Sequence, residues 1–535
     1  MGAQISKINN DPRSVLYKDV VNNTVYDINI IVIINKKQYK IDSCVQTDNE
    51  ISLEYANFRS IQLKYEDLVE SKVRVNDDKT GVQLNVIAYA FVKAKRRFIH
   101  VTLTFSKEIE VENVNKYITQ KITALKAPHL PDKFPRSRRR VLVFVNPFGG
   151  RKRGFKLWQK YVKPTLTMAN IDFQLILTAR EKHAVEITQN LKLDEYDAIA
   201  AISGDGLIIE IISGFLMRSD FKRALKMPLV HIPGGTSNGL ASSICFQCHE
   251  PFSPRGGFYT EMAVMLVQPR YLPLRINRVE TECDGDKAMF LAVSWGFLAD
   301  IDIESERFRW AGMIRLQMEA VSRFTKLPKV AHYQARISYL PVDDKNTSQV
   351  FANLRKNLQY KNFTKEHFYY QSIESFTDSK SVEINNDIEN GVLNMPKNDD
   401  LVQVPPLKDP VGSDWVVLEG YFVYVCLANL SHLGSDVPYL PCARLNDEFI
   451  YLTFVDWKDF KSQFQFCRMI HCIESCSHLS YPFLKVIPVR ACRVEPLNNC
   501  GGHVTVDGEA ITSGSAFQII PTKHCATIIG RKIRN

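Results

Sequence analysis

The sequence predicts three folded regions in its 535 residues: an α/β domain built on a doubly wound parallel sheet, an antiparallel β-sandwich after it, and a small β-rich module before it. Three observations carry this reading. Between Val141 and Gln268, short all-apolar segments alternate with helical periods, the pattern of a parallel sheet with crossover helices. After Gln268, strand-like segments continue without regular helices between them, as in an antiparallel sandwich. Before residue 127, apolar residues recur at every second position.

In chain order, residues 1–17 form a polar tail and 18–127 the β-rich module. Ile28–Ile34 reads as an apolar strand, and Val82, Leu84 and Val86, then Ile99, Val101, Leu103 and Phe105, alternate as half-buried strands do. Val114, Tyr117, Ile118, Ile122 and Leu125 have the spacing of a closing helix. Residues 128–140, with Pro128, Pro131 and Pro135 among basic residues, read as a linker. The α/β domain spans 141–268. Its strands are Val141–Val145, Phe173–Leu177, Ala198–Ile202 and Leu229–Ile232; its helices run through Trp158–Leu166, Ala184–Leu191 and Leu207–Phe215. The sandwich takes 269–342 and 413–535. Between them, 343–412 is rich in Asn, Asp, Ser and Lys and reads as a disordered insertion.

Composition narrows the function classes. With 45% hydrophobic and 24% charged residues, the chain is neither disordered, collagenous nor coiled-coil. The net charge of +10 permits an anionic partner without demanding one. Basic residues cluster at Lys93, Lys95, Arg96 and Arg97, and again at Arg136, Arg138, Arg139, Arg140, Arg151, Lys152 and Arg153. Aromatic residues do not interleave with them as in RNA-binding surfaces, so no nucleic-acid partner is expected. No run reaches the roughly 18 apolar residues of a transmembrane helix, and no secretory signal opens the chain. Twelve cysteines without regular spacing then read as reduced thiols. Met1-Gly2-Ala3-Gln4-Ile5-Ser6 fits the N-myristoylation pattern at Gly2. One acyl chain holds a membrane only marginally, and the basic clusters are candidates for the second signal. The expected location is the cytoplasm, with peripheral attachment to a membrane surface. The oligomeric state is not legible.

Three turns carry the chemistry. Ser203-Gly204-Asp205-Gly206 lies at the carboxyl end of a strand, where ligands bind in such sheets, with Glu210 one helical turn on. Glycines on both sides let a backbone approach phosphate closely, and the following helix contributes N–H donors. An aspartate at such an anion site has a job: taking a proton from a hydroxyl, or holding a divalent cation. A plain turn with a helix cap has the same residues. Pro233-Gly234-Gly235-Thr236-Ser237-Asn238 repeats the logic one strand on, and Asn146-Pro147-Phe148-Gly149-Gly150 supplies a third turn at that edge. Gly235–Gly239 also matches the G-x-S-x-G of a hydrolase nucleophile elbow, but the later histidines follow the end of the α/β pattern. Cys245, Cys248 and His249, and the group Cys467, His471, Cys472, Cys476 and His478, match no standard zinc spacing and read as free thiols and ordinary histidines.

The ordered set NPxGG, SGDG, PGGTSN and a late Asp507-Gly508-Glu509 resembles the diacylglycerol-kinase-like lipid kinases. Leu177–Ala184, Ser203–Leu207, Trp295–Glu306, Ser431–Gly434 and Val506–Glu509 resemble the sphingosine kinases among them. The resemblance covers about 138–342 and 413–535. It implies a phosphofructokinase-like α/β catalytic domain and a lipid-binding sandwich. The β-strands and closing helix before them resemble, in pattern only, a pleckstrin-homology-like module.

The resemblance further implies ATP and Mg²⁺ as cofactors, with the metal held through ATP and water rather than by direct protein ligands. It makes Asp205 the general base for the primary hydroxyl of sphingosine, with Ser203, Asp302 and Glu306 also on the substrate and Asp302 reading its amine. Asn146, Pro147, Phe148, Thr178, Arg180, Lys182, Gly204, Gly206, Glu210, Gly235, Thr236, Ser237, Arg309, Arg315, Asp507, Gly508 and Glu509 would line the nucleotide. The product would be sphingosine 1-phosphate. The chemistry of the residues agrees: phosphoryl transfer asks for positioning and charge neutralisation, and a carboxylate at Asp302 suits an ammonium-bearing base better than a neutral lipid. Phe148, where relatives carry a polar or basic residue, and the charge order of Arg180-Glu181-Lys182 depart from the pattern. The competing readings are a ceramide or diacylglycerol kinase, and a membrane-docking scaffold with an inert kinase fold. Met313–Leu327 reads as an amphipathic helix, either a core cover or a lid over a lipid pocket.

Overall fold

The computed structural model describes residues 15–55, 59–75, 82–92, 95–126, 139–149, 153–250, 252, 258–304, 333–342, 399–459, 462–497 and 502–531. Gly2, Lys93, Arg136, Arg138, Gly150, Arg151, Lys152, Glu306, Arg309, Arg315 and the Met313–Leu327 helix lie outside them. The chain divides into two compact units. One comprises residues 1–138 with Val162–Ile171 and Ala263–Pro269; the other comprises the rest.

In the first unit, eight strands are followed by one helix. They are β1 (Val15–Asp19), β2 (Thr24–Ile34), β3 (Lys37–Gln46), β4 (Glu50–Tyr55), β5 (Arg59–Lys64), β6 (Leu68–Val75), β7 (Val82–Val92), β8 (Lys95–Phe105) and α1 (Glu108–Lys126). The sheet order is β5-β4-β3-β1-β2-β8-β7-β6, antiparallel except where β1 runs parallel to β3. The alternation that predicts strands also builds the core: Leu84, Val86, Ile99, Val101, Leu103 and Phe105 point inward with Val111, Val114, Ile118 and Ile122 of α1. Arg96 corrects the expectation of a basic surface cluster. It is buried on β8, with its guanidinium 2.9 Å from buried Asp67 and donating to the Tyr89 carbonyl.

The second unit begins with β9 (Arg140–Val145), β10 (Asp172–Leu177), α2 (His183–Gln189), β11 (Ala198–Ser203), α3 (Asp205–Leu216), β12 (Leu229–Pro233) and α4 (Gly239–Gln247). The four strands pair in parallel in the order β10-β9-β11-β12. The chain order therefore reverses between β9 and β11, and a doubly wound sheet opens its ligand crevice at that switch point. β11 and β12 are buried at every residue, the pattern of strands covered on both faces.

The antiparallel part comprises β13 (Arg270–Thr281), β14 (Lys287–Met289), β15 (Ala292–Gly296), α5 (Phe297–Glu304), β16 (Tyr333–Pro341), β17 (Val416–Ala428), β18 (His432–Gly434), β19 (Val437–Pro438), β20 (Ile450–Asp456), α6 (Gln463–His471), β21 (Leu484–Pro496), β22 (Val504–Val506), β23 (Glu509–Ile511) and β24 (Phe517–Gly530). Hydrogen bonding is continuous with the parallel part. β24 meets β12 in parallel at Ile528, runs antiparallel to β13, and pairs with β21 at its start. β17 and β21 are long enough to pair with β16 over one half and β20 over the other, closing a ring of four strands with a register shift at Phe422/Tyr424. Long strands that change partner at a bulge turn a sheet's corner, which local periodicity does not reveal.

The predicted disordered insertion needs one correction. Residues 343–398 lie outside the described residues, but Asp399–Gly412 packs on the sheet. Arg278, buried on β13, is 2.5 Å from Asp400; Arg493 donates to the carbonyls of Pro405, Pro406 and Asp409. A polar segment is held there because buried arginines require acceptors. Among the described residues, no helix is long and apolar enough to cross a membrane.

Candidate active site

The three predicted turns meet at the carboxyl edge of β9, β11 and β12. After β9, the Asn146 side chain accepts from the N–H groups of Phe148 and Gly149, both at 2.9 Å, and so closes its own turn. Phe148 itself is exposed. Thr178, buried at the end of β10, donates its N–H to the Val145 carbonyl at 2.9 Å. The turns after β11 and β12 touch backbone to backbone. A Cβ on Gly235 would lie 2.3 Å from the Gly204 Cα, and one on Gly234 would lie 3.2 Å from the Ser203 nitrogen. These glycines are required for loop-on-loop packing, a different reason from the close phosphate approach expected of them. Gly206 is different: among the described residues a Cβ there would meet nothing within 4 Å, which leaves room at the start of α3 for a ligand.

Asp205 opens α3 and is buried. Its Oδ2 accepts from the Gly239 N–H at 2.8 Å and its Oδ1 from the Leu240 N–H at 2.9 Å. Both donors are otherwise unpaired N–H groups at the start of α4. The carboxylate plane is thereby fixed, while each oxygen keeps a further lone pair. Asn238, left-handed at φ 57°, closes the second turn: its Oδ1 accepts from the Gly235 N–H and its Nδ2 donates to the Gly235 carbonyl. Sequence reasoning missed this role, although an asparagine directly before a helix-starting glycine is a signal for a left-handed residue. The Ser237 carbonyl accepts from Ser435, and a Cβ on Gly239 would lie 2.8 Å from the His432 carbonyl. The Ser431–Gly434 motif is thus a clasp on the start of α4. Burial pushes the His432 imidazole down to about 3, so the ring is neutral.

Carboxylates line the same region. Asp507, left-handed at φ 50°, accepts three backbone N–H bonds of 2.9 Å from Phe290, Leu291 and Ala292. Burial pushes its carboxyl up to about 7 against those donors, and Asp205 adds to the rise, which puts the two acids in electrostatic reach. Asp507 therefore also staples strands together, its Oδ1 taking two backbone N–H groups and its Oδ2 one. Glu210 accepts from the Ala184 N–H at 3.3 Å. Burial raises its carboxyl, with Glu509 and Glu181 adding to the effect. Glu509 is raised by desolvation and by Glu181, while Lys182 and Lys287 oppose the shift. These acids share one electrostatic neighbourhood with Lys182, itself left-handed at φ 60° before α2. Among the described residues, no three His, Cys, Asp or Glu side chains converge closely enough to hold a metal ion by themselves.

Asp302 stands half-buried on α5, its Oδ2 3.8 Å from where a Cβ on Gly508 would be. Arg180, exposed, pairs bidentately with exposed Glu186, at 2.6 and 2.8 Å. Cys245, Cys248, Cys467, Cys472 and Cys476, read from sequence as free thiols, are free cysteines here. Cys248 bonds the Arg531 backbone, and burial pushes its thiol up to about 12. A residue that sequence reasoning passed over, His231 in the middle of β12, lies with Nδ1 3.7 Å from Asp205 Oδ1.

The diacylglycerol kinase catalytic domain family matches residues 140–253. Sphingosine kinase 1 of Rattus norvegicus is 31% identical over 373 residues, covering 69% of this chain and 85% of that protein. Sphingosine kinase 1 of Homo sapiens is 30% identical over 377 residues, 70% and 86% of the two chains. Sphingosine kinase 1 of Arabidopsis thaliana is 29% identical over 385 residues, 70% and 69%. The matches reach well beyond the turns and include the antiparallel part.

Proposed function

This chain belongs to the sphingosine kinases, lipid kinases of the diacylglycerol kinase type, and from that premise we propose that it phosphorylates the primary hydroxyl of a sphingoid long-chain base, sphingosine foremost, to give the 1-phosphate and ADP. The observation that carries the reading is Asp205: a buried carboxylate oriented by two N–H groups at the switch point of a parallel sheet, beside a glycine whose outer face is open. Asp205 takes the hydroxyl proton as the oxygen attacks the γ-phosphorus and the bond to the β-phosphate oxygen breaks. Bound ATP would supply the phosphoryl group, and a magnesium ion bound with it would supply neutralisation of the developing charge. The residues fit that group: the Gly206 face at the start of α3 offers room for a phosphate, and Glu210 and Glu509 would suit a metal reached through water.

Asp302 pairs with the ammonium of the base, a contact that a diacylglycerol could not make. A membrane surface presents the substrate, with Gly2 acylation as one attachment. Magnesium-dependent ATP consumption measured in parallel with sphingosine, ceramide and diacylglycerol tests the whole reading. Turnover with sphingosine is expected to exceed the other two; equal turnover with diacylglycerol would reject the substrate class. Asp302→Ala is expected to raise KM for sphingosine about tenfold or more while leaving KM for ATP within twofold, as for loss of a charge-assisted contact.

A further inference from the structure

We infer that His231 and Asp205 work as one proton-accepting pair, in which the proton taken from the lipid hydroxyl is shared between Asp205 Oδ1 and His231 Nδ1. The inference rests on Asp205 being the base. It stands on geometry that the described site does not use. His231 occupies an interior position of a strand buried at every residue, and its side chain has no solvent exposure. Its Nε2 lies 2.9 Å from the Ser203 carbonyl. A carbonyl can only accept, so Nε2 carries the hydrogen. A neutral imidazole has one N–H, so Nδ1 is bare. Among the described residues that bare nitrogen has no hydrogen-bond partner, and it lies 3.7 Å from Asp205 Oδ1.

Burial keeps the ring in its neutral form by lowering its proton affinity, and Asp205 is the charged group that opposes this. The resting state therefore sets two buried acceptors against each other, with no hydrogen between them. An unpaired buried acceptor is unfavourable, and one proton relieves both. Transfer provides that proton at the moment the hydroxyl oxygen bonds to phosphorus. The proton leaves the hydroxyl, enters on Asp205, and draws Oδ1 and Nδ1 from their resting 3.7 Å to hydrogen-bond distance, where it is held until product departs and water removes it. His231 does not touch substrate in this scheme; it is a positioning residue that acts through Asp205.

His231→Gln in the full chain keeps a donor for the Ser203 carbonyl and removes the basic nitrogen. Its kcat is expected to fall about tenfold, a part of what general-base catalysis is worth. Both KM values should stay within twofold. The acidic limb of kcat/KM against pH should move to lower pH, because the pair gains its proton as a unit and the variant leaves a lone carboxylate. Wild-type kcat, or a lower kcat with an unmoved acidic limb, overturns the inference. Asp205→Asn, measured alongside, separates the two levels. If it retains turnover, the base assignment itself fails; if it is inactive while His231→Gln keeps the wild-type limb, only the pair fails. Nitrogen-15 NMR of histidine-labelled wild-type enzyme tests the ground state without any variant. A protonated Nε2 and bare Nδ1 at neutral pH are expected, and a proton on Nδ1 overturns the inference.

Discussion

Asp205 decides most at the scale of single residues. Its two oxygens accept N–H bonds from the start of α4, so Asp205→Asn sets an amide NH₂ against one of those donors. We expect transfer to fall by about 10²–10⁴, with a stability cost of roughly 1–3 kcal/mol for the mispaired group. Turnover and thermal unfolding on one preparation check both. Asp507 gives a pH prediction. Its folded carboxyl, raised to about 7, holds a proton that the unfolded chain releases at an ordinary carboxyl value. This stability is complete in acid and is lost as pH rises toward 7. The Tm gap between wild type and Asp507→Asn should therefore narrow from pH 4 to pH 7; a gap that widens would contradict the assignment. The functional side chains were legible as residue types in turns. The partner of each was not. His231 looked like one polar residue in an apolar strand, because nothing local tells that Asp205, from the neighbouring strand's turn, lies beside it.

At the scale of elements, the strands and helices followed from periodicity, and the reasons for the glycines did not. Gly204, Gly234 and Gly235 read as a phosphate cradle, whereas the turns they form pack on each other. Gly239 faces the His432 carbonyl from the β18 clasp, which no spacing reveals. Gly235→Ala drives a Cβ into the Gly204 backbone, where neither side can yield. It should destabilise the enzyme by about 1–3 kcal/mol and abolish turnover. Gly206→Ala is the control. Its Cβ meets no atom of the described residues within 4 Å, so the fold should be kept while KM for ATP rises; unchanged ATP affinity would show that this face is not used.

At the scale of the whole molecule, charge was the least legible feature. Arg96 belonged to a predicted basic cluster, yet it is buried against Asp67. Removing one partner of a buried pair costs about 3–5 kcal/mol. Arg96→Ala should therefore expose the β-rich module to proteolysis in the full chain, rather than simply weaken attachment to anionic vesicles. Arg140, from the second cluster, lies 5.1 Å from the Tyr196 ring and bonds Gln174. Counting charges along a chain does not tell which of them fold inward.

The sequence by itself determined the α/β pattern, the order of the parallel strands' turns and the family, because hydrophobic period and turn chemistry are local properties. The tertiary structure decided which groups face one another. Strand pairing set the switch point between β9 and β11, joined β24 to both parts of the sheet, and put a bare imidazole nitrogen beside the Asp205 carboxylate. Those are contacts between residues distant in sequence, and their energies depend on burial and hydrogen-bond partners that exist only once the chain has folded.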